Sequence, residues 1–188
     1  MPRPAPFVFA LLAFAVTACS PGTPTPTGTS SAAATTTGRA EAAPSVAGLR
    51  EEPCTGLTAE QAASFDLAPG KPISDVGHGP GCMWLSPSHD ANVVNLSFDD
   101  LGGGGLARIR ANRADHAYHD EVGIGDYPAI FASSFDLRSE GDCTLWVGVA
   151  DGLVMTLGAS LPGGPDAADP CSAAERIATA IAANLGNT

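Results

Sequence analysis

The sequence predicts a single α+β domain, in which helices pack on an antiparallel β-sheet. Alternating polar and apolar residues, typical of half-buried strands, occur at residues 92–98, 143–150 and 153–159. Asp151-Gly152 separates the last two segments and favours a hairpin with a two-residue type I′ turn. Capping signals also mark a helix near each end of the region that contains these strands.

The two terminal helices are predicted from their caps. Thr58 and Gln61 have the spacing of a capping box, so a short helix is expected to follow and to end near Phe65. Asp169 is an N-cap candidate, and Pro170 suits the first turn of the helix behind it. Apolar residues recur along this second helix at helical spacing: Ala174, Ile177, Ala178, Ile181 and Leu185.

The elements between these helices are predicted from residue periodicity. A strand is expected at residues 82–85, before the strand at 92–98. A middle helix is expected from Leu106 to Tyr118, entered from the four glycines at 102–105. Residues 122–131 and 135–138 are expected to add one or two further strands.

The N-terminal residues predict export and lipid attachment. Arg3 precedes an almost unbroken apolar run from Phe7 to Val16, which is too short to span a bilayer and has the layout of a signal h-region. Small residues then lead directly into Cys19, which is typical of the lipobox of bacterial lipoproteins. We therefore expect residues 1–18 to be a lipoprotein signal peptide and Cys19 to carry acyl chains such as palmitate. The alternative is a plain secretory signal with a chance cysteine.

Residues 19–47 are expected to form a disordered tether between the lipid and the domain at 48–188. From Ser20 onward this segment consists of Thr, Pro, Ser, Ala and Gly, with only Arg39 and Glu41 charged. Such a segment buries too little apolar surface to offset its ordering entropy. A random coil of this length has a mean reach of about 30 Å. The predicted location is therefore the extracytoplasmic face of the cell membrane.

The charge of the chain restricts the classes of partner. The sequence has 9 basic and 20 acidic residues and a net charge of −11. Cleavage after Ala18 removes Arg3 and leaves a net charge of −12. This excess argues against nucleic acid and against electrostatic docking on anionic lipid. A single lysine beside abundant Ala, Gly and Pro indicates a high-GC genome, which favours an actinobacterial origin.

Four cysteines in the predicted domain indicate two disulfides in an oxidising compartment: Cys54, Cys82, Cys143 and Cys171. Three pairings are possible, and we favour the sequentially local one, Cys54 with Cys82 and Cys143 with Cys171. A zinc site is disfavoured, because the chain has no CxxC pair and the cysteine spacings are long. Trp84 and Trp146 follow cysteines closely and are expected to pack against the disulfides.

Several residues are weak candidates for chemistry. His116 and His119 fall three residues apart on the predicted middle helix and could share a face and hold a metal, but no third ligand is distinguishable. An exposed polar helix end is the alternative. Ser88-His89-Asp90 contains the residue types of a catalytic triad. Consecutive residues do not converge in space as a triad must, so no catalytic residue is predicted.

Two further patterns are weak signals for a bound anion. The four glycines at 102–105 lack the Lys-Ser or Lys-Thr of a phosphate-binding loop, so a flexible connection is favoured. Arg108, Arg110 and Arg113 form a basic cluster in an acidic chain. A solvated helix face paired with nearby carboxylates is favoured over an anion site.

With these residues placed, the chain resembles a family of actinobacterial lipoproteins known by a domain of unknown function, DUF3558. The resemblance rests on five segments: Pro53-Cys54-Thr55-Gly56-Leu57-Thr58, Cys82-Met83-Trp84, the Gly-rich turn and Pro-Ala at 122–129, the strand that begins at Cys143, and Asp169-Pro170-Cys171. It implies a cell-envelope lipoprotein with no known catalytic site. The resemblance implies structural roles for these residues and assigns no functional residues.

The sequence thus favours a non-enzymatic, lipid-anchored module that binds an envelope protein or a small ligand and needs no cofactor. One alternative is a metal-assisted hydrolase that uses His116 and His119. Another is a carrier for a small apolar or anionic molecule held between sheet and helices. A sizeable apolar pocket would favour the carrier, and a solid core would favour recognition at the surface.

Overall fold

Seven antiparallel strands form one sheet in the computed structural model, which describes residues 45–74 and 79–185. The strands are β1 Lys71–Ile73, β2 Gly81–Leu85, β3 Val93–Asp99, β4 Tyr118–Ile124, β5 Tyr127–Ser133, β6 Asp142–Ala150 and β7 Leu153–Ser160. Their order across the sheet is β1-β2-β3-β7-β6-β5-β4. Because helices pack on this sheet, the predicted α+β class is confirmed.

Four α-helices accompany the sheet: α1 Val46–Glu51, α2 Ala59–Ser64, α3 Gly105–Ala111 and α4 Pro170–Asn184. Short 3-10 turns lie at Pro53–Gly56, Leu101–Gly103, Arg113–Asp115, Arg138–Glu140 and Pro165–Ala168. Helix α4 packs on one face of the sheet, and the shorter α3 packs on the other. Within the described residues, no helix is both long enough and apolar enough to cross a membrane.

The predicted caps determine where α2 and α4 begin. The Thr58 hydroxyl accepts a hydrogen bond from the Gln61 amide at 3.2 Å, and the Gln61 side chain accepts one from the Thr58 amide at 2.9 Å. The Asp169 carboxylate accepts one from the Ser172 amide at 3.1 Å. Each bond satisfies an amide that the first helical turn leaves unpaired. The sequence therefore predicts both starts correctly.

The main core lies between the sheet and α4. Side chains of alternate strand residues point into it, as strand geometry requires, and meet the apolar stripe of α4. The large side chains in this layer are fully buried: Trp84, Leu96, Leu145, Leu157 and Ile181. These side chains occupy the space in which a carrier would have held its ligand.

Two disulfides fasten helical segments to the sheet. Cys54, in the 3-10 turn before α2, is bonded to Cys82 on β2, and Cys143 on β6 is bonded to Cys171 in the first turn of α4. This is the sequentially local pairing that the sequence favours. Trp84 and Cys82 lie on the same face of β2 and both belong to the main core. The expectation for Trp146 is wrong, because Trp146 points to the opposite face of β6 from Cys143 and packs with the α3 cluster.

The predicted middle helix is wrong beyond residue 111. Helix α3 ends at Ala111, and residues 118–124 form strand β4. Leu106 and Ile109 anchor α3 to the sheet, but no apolar residue continues that stripe in the next turn. From Tyr118 onward the buried positions follow strand spacing instead. Burial of apolar surface therefore decides where the helix stops.

Other local expectations also need correction. The β6–β7 hairpin forms, but its turn is not type I′, since Gly152 has a φ of 71° while Asp151 does not have a positive φ. Residues 135–138 lie in a loop rather than a strand. Helix α1 begins at Val46, inside the segment expected to be tether. Residues 1–44, which include the predicted signal peptide and Cys19, lie outside the described residues.

The strand directions define two ends of the sheet. One end has the β6–β7 turn, beside which Val46 and Arg50 of α1 line a cleft with Ala150 and Leu153. The described chain therefore begins at this end. The opposite end, which we call the distal end, includes the loops at residues 86–92, 134–141 and 161–169. Strand β6 separates the two ends by about 25–30 Å.

Candidate functional site

A loop at the distal end exposes two apolar side chains. It connects β5 to β6 through residues 134–141 and is called the Phe135 loop below. Phe135 is 73% exposed and Leu137 41% exposed, and they are the only large apolar side chains this exposed among the described residues. Isolated exposed apolar residues are common, but a pair on one projecting loop is typical of an interaction surface.

Arg138 holds the Phe135 loop in place. Its guanidinium donates two hydrogen bonds to the Asp136 carboxylate, at 2.8 and 2.7 Å, in a bidentate arrangement. It also lies 3.6 Å from an Asp120 carboxylate oxygen and 4.4 Å from the ring centre of Tyr118. The Tyr118 hydroxyl in turn accepts a hydrogen bond from the Thr144 amide on β6 at 3.0 Å. The loop is thus tied to two strands.

The electrostatics of this network favour its charged form. The hydrogen bonds from Arg138 lower the pKa of Asp136 from 3.8 to about 2, and the same bonds raise the pKa of Arg138. Because the folded-state pKa of Asp136 lies below its ordinary value, its contribution is complete above pH 3.8 and is lost as the pH falls through about 2. Above about pH 4, Asp136 therefore stays ionised and available to pair with Arg138.

Asp136→Asn is expected to loosen the Phe135 loop without unfolding the domain. The substitution removes the negative charge that Arg138 pairs with, while the pair is too exposed to contribute much to global stability. Amide hydrogen exchange should speed up in residues 134–141 and stay unchanged in β6 and β7. Asp126→Asn, in the exposed β4–β5 turn at the other end, is the matched control. Unchanged exchange in the loop would contradict the assigned role of Asp136.

The surroundings of the Phe135 loop are acidic. Residues 134–142 contain three acidic side chains and one basic one, Arg138, which Asp136 already pairs with. A shallow cleft of about 510 Å³ lies beside the loop, between Arg138 and Asp169. A partner at this end therefore meets apolar side chains within an acidic rim.

The hydroxyls near His89 do not form a catalytic relay. Asp66, and not Asp90, is the carboxylate nearest His89, with 3.5 Å between Asp66 Oδ2 and His89 Nδ1. The hydroxyls of Ser86 and Ser88 donate to the same carboxylate at 2.5 and 2.8 Å, and these bonds lower the pKa of Asp66. The Ser86 hydroxyl also accepts a hydrogen bond from the His89 backbone amide at 2.9 Å, but neither serine is bonded to the His89 ring, as a triad nucleophile must be. The cluster instead ties the β2–β3 loop to the end of α2.

The two histidine candidates come together, although not on one helix as predicted. His116 follows the 3-10 turn after α3, and His119 is the second residue of β4. Their Nδ1 atoms lie 3.4 Å apart, and the His119 side chain is only 5% exposed. Within residues 45–74 and 79–185, no group of three or more His, Cys, Asp or Glu side chains could hold a metal ion.

The basic cluster on α3 is largely engaged by protein groups. Arg110 forms a bidentate pair with Glu121 on β4, with N–O distances of 2.9 Å, and this pairing lowers the pKa of Glu121. Arg108 donates to the Leu101 carbonyl at 3.1 Å. The favoured interpretation, a helix face paired with carboxylates, fits Arg110, whereas the partner of Arg108 is a backbone carbonyl.

An apolar cleft of about 690 Å³ lies beside the Cys54–Cys82 disulfide, away from the core layer. Pro53, Pro72, Ile73 and Pro80 contribute to its walls. Its lining residues Ser74 and Gly79 border residues 75–78 in the sequence, and those four lie outside the described residues, so we assign no site to the cleft. Its walls come from the end of α1, the 3-10 turn at Pro53–Gly56 and strands β1 and β2, at the edge of the sheet and not in the core layer under α4.

Comparison with family models assigns the chain to a family. The family model DUF3558, described as a protein of unknown function, matches residues 14–184. The chain belongs to the DUF3558 family. This DUF3558 match spans all seven strands and both disulfides. No curated protein and no solved structure is significantly similar to the chain.

Sequence reasoning missed the Phe135 loop in this DUF3558 chain. Phe135-Asp136-Leu137-Arg138 alternates apolar and charged residues, so it was expected to form a strand. The Asp-x-Arg spacing lets the two charged side chains pair, but residues two apart also share a face of a strand, so this spacing does not distinguish a loop from a strand. In the structure that pairing holds both charges together and leaves the two apolar side chains exposed.

Proposed function

We propose that this DUF3558 protein is a lipid-anchored, extracytoplasmic binding module that takes a protein partner at the Phe135 loop. The observation that carries the proposal is the exposure of Phe135 and Leu137 on a loop that Arg138 and Asp136 hold in place. Exposed aromatic side chains on an ordered loop lose little conformational entropy on binding, which favours recognition.

The position of the loop supports this role. The described chain begins beside the β6–β7 turn, and the Phe135 loop lies at the other end of strand β6. A lipid at Cys19 would attach the domain through a tether that joins it at the end far from the loop. The loop then faces away from its own attachment point, where another envelope protein can reach it.

The charges near the loop indicate the chemistry of the partner. Phe135 and Leu137 require an apolar pocket, and the acidic side chains around them favour a rim of lysine or arginine. The same acidic surroundings disfavour insertion into an anionic lipid surface. A basic protein surface with an apolar pocket therefore fits this end best.

The double variant Phe135→Ser/Leu137→Ser is expected to lose the partner. An aromatic hot spot contributes about 2 kcal/mol or more, so the pair should cost at least about 30-fold in affinity. Chemical crosslinking in intact cells, followed by quantification of each crosslinked protein, measures the loss. Melting temperature should not fall, because both side chains are exposed.

Two controls make this test specific. Asp126→Ser, at the opposite end of the sheet, should leave the crosslinked species unchanged. Raising the salt concentration should weaken capture by the wild-type protein if the partner is basic. A partner captured equally by wild type and double variant would overturn the assignment of the loop.

A further inference from the structure

His116 and His119 face each other in a head-to-head arrangement. Their ring planes differ by 18°, their ring centres lie 5.7 Å apart, and their Nδ1 atoms lie 3.4 Å apart. The distance between ring centres exceeds the Nδ1–Nδ1 distance by about twice the distance from an imidazole centre to its own Nδ1 atom. Both Nδ1 atoms therefore lie on the line between the ring centres, and the lone-pair direction of each nitrogen points at the other nitrogen.

We propose that this pair is a two-coordinate site for a monovalent d¹⁰ cation, Cu⁺ or Ag⁺. Such cations accept two nitrogen ligands in a line, which is the arrangement of the two Nδ1 lone pairs. Imidazole is a suitable copper ligand. Metal–nitrogen bonds of about 2 Å require an Nδ1 separation of about 4 Å, so each ring withdraws by only about 0.3 Å when the ion binds.

The same geometry disfavours a tetrahedral ion such as Zn²⁺. Its two bonds to nitrogen would have to meet at an angle, so both rings would have to turn, and the ion would need further ligands. Within the described residues the pair has no third His, Cys, Asp or Glu ligand to complete such a site. A cation satisfied by two ligands suits this site better.

Neighbouring residues orient His119 for this role. The His119 side chain is 5% exposed, and its Nε2 lies 3.9 Å from a Glu121 carboxylate oxygen. Glu121 is itself fixed by the bidentate pair with Arg110 on α3. A carboxylate facing Nε2 favours the proton on that nitrogen and leaves Nδ1 as an acceptor, as is common for metal-binding histidines.

The tautomers give the proton balance of binding. With His119 Nδ1 as acceptor, His116 carries its proton on Nδ1 and donates it across the 3.4 Å gap. When the cation binds between the nitrogens, this proton moves to His116 Nε2, on the far side of the ring. Both rings remain neutral, no net proton is released, and neither the cation nor the protein is oxidised or reduced.

The test uses the native lipidated protein in detergent and without a histidine tag, so that Cys19 offers no free thiol. Ascorbate keeps the copper reduced as Cu⁺, and the protein competes with a chromophoric chelator for the ion. Ag⁺ serves as the redox-inert probe. We expect one ion per chain, with affinity reduced by roughly 100-fold or more in His116→Ala and in His119→Ala. His89→Ala, at the Asp66 cluster, is the matched histidine control and should bind as wild type does.

A second readout separates the site from a folding defect, because His119 is buried. Circular dichroism and melting temperature are measured on the ion-free variants, and X-ray absorption counts the ligands of the bound ion. His116→Ala that melts like wild type but no longer binds, together with two nitrogen ligands in the wild type, supports the proposal. Undiminished Cu⁺ binding by a folded His116→Ala, three or more ligands on the ion, or tighter binding of Zn²⁺ than of Cu⁺ would overturn it.

Discussion

Cells that produce the Cys19→Ala variant are expected to lose the protein from their membrane fraction. In the proposed lipoprotein, the acyl chains at Cys19 are its attachment to the bilayer. One acyl chain gives only marginal binding and two give stable anchoring, so removal of the modified residue changes the location of nearly all the protein. The acidic domain has no compensating attraction to an anionic surface.

Fractionation with detergent partitioning measures this change, and mass spectrometry of the N-terminal peptide reads the acyl chains directly. The double variant Cys54→Ala/Cys82→Ala is the matched control, since it removes two other cysteines and keeps Cys19. It should remain in the membrane fraction. If Cys19→Ala stayed with the membranes at the wild-type level, the lipid anchor would be wrong.

Removal of the Cys143–Cys171 disulfide is expected to cost the domain about 3.5 kcal/mol of unfolding free energy in the chain-entropy model. The bridge spans 28 residues and joins β6 to the first turn of α4. Without it the unfolded chain gains conformational freedom, and the helix that covers the core is held by packing alone. For a domain of this size the melting temperature should fall by roughly 10 °C.

Urea unfolding of Cys143→Ala/Cys171→Ala tests this expectation. The pair Cys54–Cys82 has the same sequence separation of 28 residues, so its chain-entropy contribution is the same. Cys82 and Cys143 are both buried, so each double variant also leaves a small cavity in the core, and the two should lose similar stability. Unchanged stability in both double variants would contradict the structural role of the disulfides.

The sequence predicts those elements whose signals are local. Alternation of buried residues identifies β3, β6 and β7, and side-chain caps identify the starts of α2 and α4. Helix α1 was missed because it has only six residues and begins at the end of a segment that resembles a tether. Strand β1 was missed because three residues carry no periodic pattern. Its conformation depends on pairing with β2, which lies ten residues further along the chain.

The candidate sites depend on contacts that a sequence does not contain. The sequence predicts that His116 and His119 meet on one helix. In the structure the helix has already ended, and the two rings meet where the chain passes from a 3-10 turn into strand β4. The Phe135 loop is exposed because Arg138 pairs with Asp136 and lies over Tyr118, which stands twenty residues earlier. Pairings across the sheet determine both arrangements, so periodicity alone does not reveal them.

Site-specific photo-crosslinking in living cells tests the proposed binding surface most directly. A photoreactive phenylalanine analogue, which keeps an aromatic side chain, replaces Phe135 in the full-length, lipidated protein, and replaces Asp126 as the control on the opposite end. We predict a discrete crosslinked product at position 135, with a partner that has a basic surface, and none of that product at position 126. The same product from both positions, or no product at position 135 while the protein is folded and anchored, would contradict a binding module that acts through the Phe135 loop.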